Sequence, residues 1–85
     1  MNEEKILLEI VCVGLGRSFD CVAPRRITAK GLCGVCCTMI REQTGIDVGD
    51  PNSLLLMSGT LRRGLVPEQT LDEQGLDSGD TLYMV

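Results

Sequence analysis

The sequence predicts an α+β domain in which a mixed sheet of four to five strands carries one main helix across one face. A largely apolar segment at residues 5–13 and an alternating segment at residues 17–24 are joined by glycines, apolar residues recur at helical spacing over residues 29–44, and two short apolar runs follow. The chain has 85 residues, of which 44% are hydrophobic and 24% are charged. We therefore expect a single folded domain over residues 1–85.

The first predicted element is a β-hairpin. Residues 5–13 are mostly β-branched or apolar around a central Glu9, as is typical of a strand. If Glu9 faces water, the side chains that point toward the core are those of Ile6, Leu8, Ile10 and Cys12. The glycines of segment 14–17 favour a tight turn. The second strand, which Pro24 ends, then turns inward Phe19, Cys21 and Ala23.

A helix is predicted from about Ala29 to Thr44. Thr28 is a suitable N-terminal cap, and Gly45 lies where helices commonly end. At about 100° per residue, one stripe of this helix faces the sheet, and it consists of Ala29, Leu32, Cys33, Cys36, Met39, Ile40 and Gln43. Cys37 lies at the flank of the stripe, so we expect it to be the most exposed of the five thiols.

Two further strands are predicted after the helix, one over Leu54–Met57 and one over Thr81–Val85. Between them, a loop of turn-forming residues leads to a short helical turn at residues 70–76, capped by Thr70. We expect the last strand to lie beside the first strand of the chain at the centre of the sheet. The side chains expected beneath the helix are those of Leu55, Met57, Leu82 and Met84.

The same alternation leaves one face of the sheet uncovered, because a single helix covers only the other face. The residues expected on this uncovered face are Leu7, Val11, Leu54, Leu56, Tyr83 and Val85. An exposed apolar face of this kind commonly marks a site of partner binding or self-association. We therefore predict that these six residues bind a protein partner, with a homodimer as an alternative.

A second, basic patch is predicted if two loops adjoin, and it would consist of Arg25, Arg26, Arg62 and Arg63. Two separate, solvated arginine pairs would account for the same residues equally well. The sequence leaves both interpretations open.

Several segments resemble known families. In the order of its elements, and in residues 55–59, 70–71, 75–76 and 81–82, the chain resembles ubiquitin. The segments Phe19–Pro24, Ile27–Leu32 and Asp77–Leu82 resemble the EsaB/YukD family more closely. Members of that family are small ubiquitin-like proteins of the type VII secretion system of Gram-positive bacteria.

This resemblance implies a ubiquitin-like β-grasp fold. It also implies a cytoplasmic accessory or regulatory component that contacts other proteins of the secretion machinery without being conjugated to targets. The chain departs from the family at Cys33, Cys36 and Cys37, where the family's helix is usually aliphatic.

The composition argues against several functions. A formal net charge of −4 disfavours nucleic acid and anionic membranes as partners, since both attract basic proteins. The apolar runs are far shorter than the roughly 20 residues of a membrane-spanning helix, and Met1–Lys5 is too acidic for a secretory signal. We therefore expect a cytoplasmic protein without membrane insertion.

The side chains offer little for catalysis. The chain has no histidine and no phosphate-binding Gly-Lys-Ser/Thr loop, so we expect neither an enzyme nor a bound cofactor. The alternative is a thiol-based redox or zinc-binding protein, because Cys33 and Cys36 have the spacing of a redox motif. Zinc would require these two thiols to converge with Cys12 and Cys21. We favour the interpretation that the cysteines act as small core residues and bind no metal.

Overall fold

A computed structural model describes residues 4–85 of the chain. Residues 1–3, which belong to the predicted domain and to its acidic start, lie outside the described residues. In chain order, the elements are β1 (Lys5–Cys12), β2 (Arg17–Pro24), α1 (Ala29–Thr44), β3 (Leu56–Ser58), β4 (Arg63–Gly64) and β5 (Thr81–Met84).

The five strands form one mixed sheet in the order β2-β1-β5-β3-β4. β1 and β5 pair in parallel, whereas the other neighbouring strands are antiparallel. The buried side chains of α1 join those of the sheet in one hydrophobic core. The predicted sheet with one main helix, and the pairing of the first strand with the last, are confirmed.

β1 and β2 form the predicted hairpin, paired in register from Lys5 opposite Pro24 to Cys12 opposite Arg17. A 3₁₀ turn at Val13–Leu15 connects them, and Gly16 follows with a left-handed φ of 64°. Glycine adopts this conformation without the steric cost that a Cβ imposes. As predicted, the inward side chains are buried, and they are Ile6, Leu8, Ile10, Cys12, Phe19, Cys21 and Ala23.

α1 has the predicted limits. The Oγ1 atom of Thr28 accepts a hydrogen bond of 3.0 Å from the backbone N–H of Gly31, one of the donors that a helix start leaves without a partner. At the other end, Gly45 has a φ of 74°, and its N–H donates to the carbonyl of Arg41 at 2.8 Å. Gln43, expected on the buried stripe, is exposed. Within residues 4–85, no helix has the length and apolarity needed to cross a membrane.

The predicted phase of β3 is wrong. β3 covers Leu56–Ser58, and Leu56 pairs with the core residue Met84 of β5. Leu56 therefore faces the core, with 3% of its surface exposed, whereas Leu55 is 43% exposed. Residues 54–57 are all apolar, so they contain no alternation that fixes which side faces the core. The pairing with β5 fixes it instead.

Ser58 also faces the core, and its hydroxyl is satisfied there. Its Oγ accepts a 2.9 Å hydrogen bond from the backbone N–H of Leu61, so burial leaves this polar group with a partner. The chain then turns into β4, a two-residue edge strand that the sequence did not predict. Gly64 of β4 pairs with Met57 of β3.

The segment between β4 and β5 is held by the buried amide of Gln74. Its Oε1 accepts from the N–H of Val66 at 2.8 Å, and its Nε2 donates to the carbonyls of Val66 and Gln69 at 2.9 and 3.1 Å. Thr70 caps the predicted turn by accepting from the N–H of Glu73 at 3.1 Å. Three 3.0 Å backbone hydrogen bonds join this segment to the residues at the start of α1, and their donors and acceptors are Leu71 to Ile27, Ala29 to Gln69 and Lys30 to Pro67.

Candidate functional site

The outer face, defined as the side of the sheet opposite α1, is rich in apolar side chains. They alternate along the strands with the buried core residues, and they are Leu7, Val11, Val22, Leu55, Met57, Tyr83 and Val85. Val11 and Met57 are half-buried, and the other five are exposed. The fold therefore leaves an apolar surface on this side unburied.

Five of these residues form a group that we call the main apolar cluster, consisting of Val11, Leu55, Met57, Tyr83 and Val85. Tyr83 of β5 pairs in register with Val11 of β1 on one side and with Met57 of β3 on the other. Just beyond, Leu55 and Val85 exchange backbone hydrogen bonds of 2.9 and 3.0 Å. The strand register thus assembles the main apolar cluster from three separate parts of the chain.

Gly59 leaves room for the Tyr83 ring beside the backbone. A Cβ atom built on Gly59 would lie 3.1 Å from Cε1 of the ring, which is closer than such contacts normally come. Glycine therefore allows the ring to lie directly against the backbone that follows β3. The ring remains exposed at the centre of the main apolar cluster.

A polar row divides the outer face. Glu9 of β1 lies in register with Asp20 of β2 and with Thr81 of β5. The Thr81 hydroxyl donates to the Glu9 carboxylate at 3.3 Å. On the far side of this row, Leu7 and Val22 pair with each other in register. Along β1, the outer face therefore carries the main apolar cluster at one end, two carboxylates in the middle and a second apolar pair at the other end.

Four of the six predicted contact residues lie on the outer face, namely Leu7, Val11, Tyr83 and Val85. The prediction is wrong for the other two, because the phase of β3 turns Leu56 into the core and leaves Leu54 half-buried against it. Leu55 and Met57 were missed for the same reason. Val22 could have been found, because the inward residues on either side of it in β2 place it outward.

The predicted basic patch does not form. Arg25 and Arg26 follow β2, and Arg62 and Arg63 lie at β4, so three strands separate the two pairs across the sheet. Arg25 instead donates to the carboxylate of Asp77 at 2.8 Å and lies 3.9 Å from that of Asp72. Its charge therefore serves a local contact between two loops.

All five cysteines are free and buried, including Cys37, which the helical spacing had suggested to be exposed. Only 3% of the Cys37 surface is accessible. The thiol of Cys33 donates to the carbonyl of Pro51 at 3.6 Å. Burial, together with the neighbouring Cys37, raises the pKa of Cys33 to about 11. A thiol in this state is protonated at neutral pH and is a poor nucleophile.

Cys21 and Cys36 are hydrogen-bonded neighbours between β2 and α1. The hydrogen bond and burial both raise the pKa of Cys36, and the same hydrogen bond lowers the pKa of Cys21 to about 7 while burial opposes it. Neither thiol is accessible, since 5% of Cys21 and none of Cys36 is exposed. The described part of the chain brings together no group of three or more cysteine, aspartate or glutamate residues suited to hold a metal ion.

No protein-family model matches the chain, and no curated protein matches it. Solved structures match over nearly its full length. A protein designed on the basis of ubiquitin is 24% identical, with a TM-score of 0.72, and the match covers 99% of this chain and 90% of that one.

Two natural proteins give similar matches. Ubiquitin of Caldiarchaeum subterraneum is 21% identical, with a TM-score of 0.74 and coverage of 94% of this chain and 90% of that one. The ubiquitin-like domain of Plasmodium falciparum Dsk2 is 20% identical, with a TM-score of 0.73 and coverage of 95% and 96%. At these identities the likeness concerns the fold, and the fold is the ubiquitin-like β-grasp.

Proposed function

We propose that this ubiquitin-like chain is a non-catalytic interaction module that binds a protein partner through its outer face. The observation that carries the proposal is the main apolar cluster, whose residues Leu55, Tyr83 and Val85 are exposed on a sheet face where polar residues are the usual choice. The buried state of all five thiols supports a role without covalent chemistry.

The main apolar cluster is suited to binding because its residues are held by the centre of the sheet. Val11 and Tyr83 lie on β1 and β5, which have a paired strand on each side. A rigid, preformed surface loses little conformational entropy when a partner binds. The exposed tyrosine at its centre is a residue type enriched at binding hot spots.

For the cellular role, we propose an accessory or regulatory component of a type VII secretion system that acts in the cytoplasm. The support is the resemblance of residues 19–24, 27–32 and 77–82 to the EsaB/YukD family. In this role the outer face would contact a protein of the secretion machinery. Self-association through the same face is the competing use of the surface.

The binding proposal is tested by removing the apolar centre without disturbing the core. The double variant Val11→Thr/Tyr83→Thr places threonine, which is favourable in strands, at both positions and makes the surface more polar. We expect it to stay folded and to bind the partner that co-purifies with the wild-type protein at least about tenfold more weakly. Val35→Thr is the matched control, because Val35 is exposed on α1, away from the sheet.

Equal binding by the double variant and the control would refute the outer face as the site. Analytical sedimentation of the pure protein tests whether the outer face serves self-association instead. A dimer that the double variant dissociates would assign the face to self-association.

The cellular role is tested in the native host. Deleting the gene should reduce export of the small helical substrates of the secretion system, and the wild-type and Val35→Thr proteins should restore it. The double variant Val11→Thr/Tyr83→Thr should not restore export. Normal export after deletion would refute the role in secretion while leaving the binding proposal intact.

A further inference from the structure

The two carboxylates on the outer face form an unusual pair. Glu9 and Asp20 lie directly opposite each other on adjoining strands, where side chains of like charge repel. Within residues 4–85, neither carboxylate forms an ion pair with an arginine or lysine. Lys5, the basic residue of β1, lies four residues from Glu9, about 13 Å along the strand.

The pair lies between apolar surfaces on both sides. Along β1, the outward residues are Leu7, Glu9 and Val11, spaced by about 7 Å. Leu7 belongs to the apolar pair with Val22, and Val11 belongs to the main apolar cluster. A partner that covers both apolar parts must also cover the carboxylates, and it will bury them at a cost unless it supplies positive charge.

The sheet also restricts the backbone of the partner. β1 and β5 are paired on both sides, so the middle of the outer face offers no free N–H or C=O groups. An extended segment lying there would leave its own backbone groups without partners. A helix satisfies its backbone internally and packs on a sheet through side chains alone.

We propose that the outer face binds an amphipathic helix of a partner protein that carries lysine or arginine between apolar residues. Its cationic side chain lies between Glu9 and Asp20, and its apolar residues contact the main apolar cluster on one side and Leu7 with Val22 on the other. This inference rests on the proposed function, since it names the chemistry of the partner for the same face. The net charge of −4 also favours approach of a basic segment.

The test uses two synthetic amphipathic helical peptides of about 18 residues. Both peptides have the same apolar residues. At the one position that lies between these apolar residues, one peptide has lysine and the other has glutamate. NMR titration of the ¹⁵N-labelled protein measures the affinity of each and maps its site. We expect the lysine peptide to shift amides of β1, β3 and β5, and to bind about tenfold more tightly than the glutamate peptide at low salt.

Charge reversal on the protein checks the assignment. Glu9→Lys/Asp20→Lys should reverse the preference between the peptides, and the uncharged Glu9→Gln/Asp20→Asn should abolish it. The control Glu42→Lys/Glu68→Lys changes the net charge equally at exposed positions on α1 and in the segment after β4, and it should keep the preference. The amide spectrum of each variant shows that it is folded.

Three results would overturn the inference. The reversed variant could keep the lysine preference, both peptides could bind equally, or the outer-face amides could shift with protein concentration alone, which would indicate a second copy as the occupant. In each case, loss of the native partner in Val11→Thr/Tyr83→Thr would still support the proposed function. The proposed function and its partner chemistry can therefore fail separately.

Discussion

Cys33 shows how the fold alters the chemistry of a single residue. Its spacing from Cys36 is that of a redox motif, yet a reactive thiol must be both accessible and readily deprotonated. In the folded chain Cys33 is buried, donates to the carbonyl of Pro51 and has a raised pKa. The residue therefore contributes to the fold as a protonated, apolar side chain.

We predict that the free energy of unfolding decreases as the pH rises from about 9 to about 11. Unfolded Cys33 loses its proton near the ordinary pKa of 9.0, whereas folded Cys33 keeps it until about 11. Over this interval the unfolded state binds fewer protons, so rising pH favours unfolding. Urea denaturation under reducing conditions should show a decrease of up to about 1.4 kcal/mol per pH unit from this group.

Cys33→Ala serves as the control for this titration. The substitution removes the ionisable group, so the free energy of unfolding of the variant should decrease less steeply with pH than that of the wild-type protein. The smaller side chain can lower the free energy of unfolding at every pH, but this loss does not change the slope. A slope identical to that of the wild-type protein would show that Cys33 is not the group responsible.

At the scale of elements, β3 carries the sharpest prediction, because two adjacent leucines differ in burial. Leu56→Ala should lower the free energy of unfolding by about 2–4 kcal/mol, since it opens a cavity beneath α1. Leu55→Ala should lower it by less than about 1 kcal/mol, since Leu55 is exposed. Denaturant titration measures both losses of stability. A larger loss for Leu55→Ala than for Leu56→Ala would mean that Leu55 faces the core, as the sequence suggested.

The hairpin and α1 were predictable because their signals are local. Glu9 breaks an apolar run and fixes the phase of β1, while Thr28 and Gly45 mark the ends of the helix within one turn of it. The phase of β3 was not predictable, because it depends on pairing with β5, which lies more than 20 residues further along the chain. For the same reason, the predicted site wrongly included Leu54 and Leu56.

At the scale of the whole molecule, Gln74 connects parts of the chain that no strand or helix connects. We predict that Gln74→Ala lowers the free energy of unfolding by about 2–3 kcal/mol, because the backbone N–H of Val66 loses its partner and the carbonyls of Val66 and Gln69 each lose one of two hydrogen bonds. Hydrogen exchange should show the largest acceleration at the amide of Val66.

Gln69→Ala is the matched control for Gln74. The side chain of Gln69 is exposed, and its interaction with Gln74 uses only the backbone carbonyl, so its removal should change stability by less than about 0.5 kcal/mol. Equal effects of the two substitutions would mean that the amide network does not hold this segment.

The central position of β5 has a consequence for biosynthesis. Until Thr81–Met84 has left the ribosome, the β1–β2 hairpin and the β3–β4 ribbon have no strand between them, and each exposes an edge that the finished sheet covers. The nascent chain therefore cannot complete its sheet during translation of the preceding 80 residues. Translation arrest before β5 should yield a chain that chaperones bind and proteases cleave, and release of β5 should end both within one folding event.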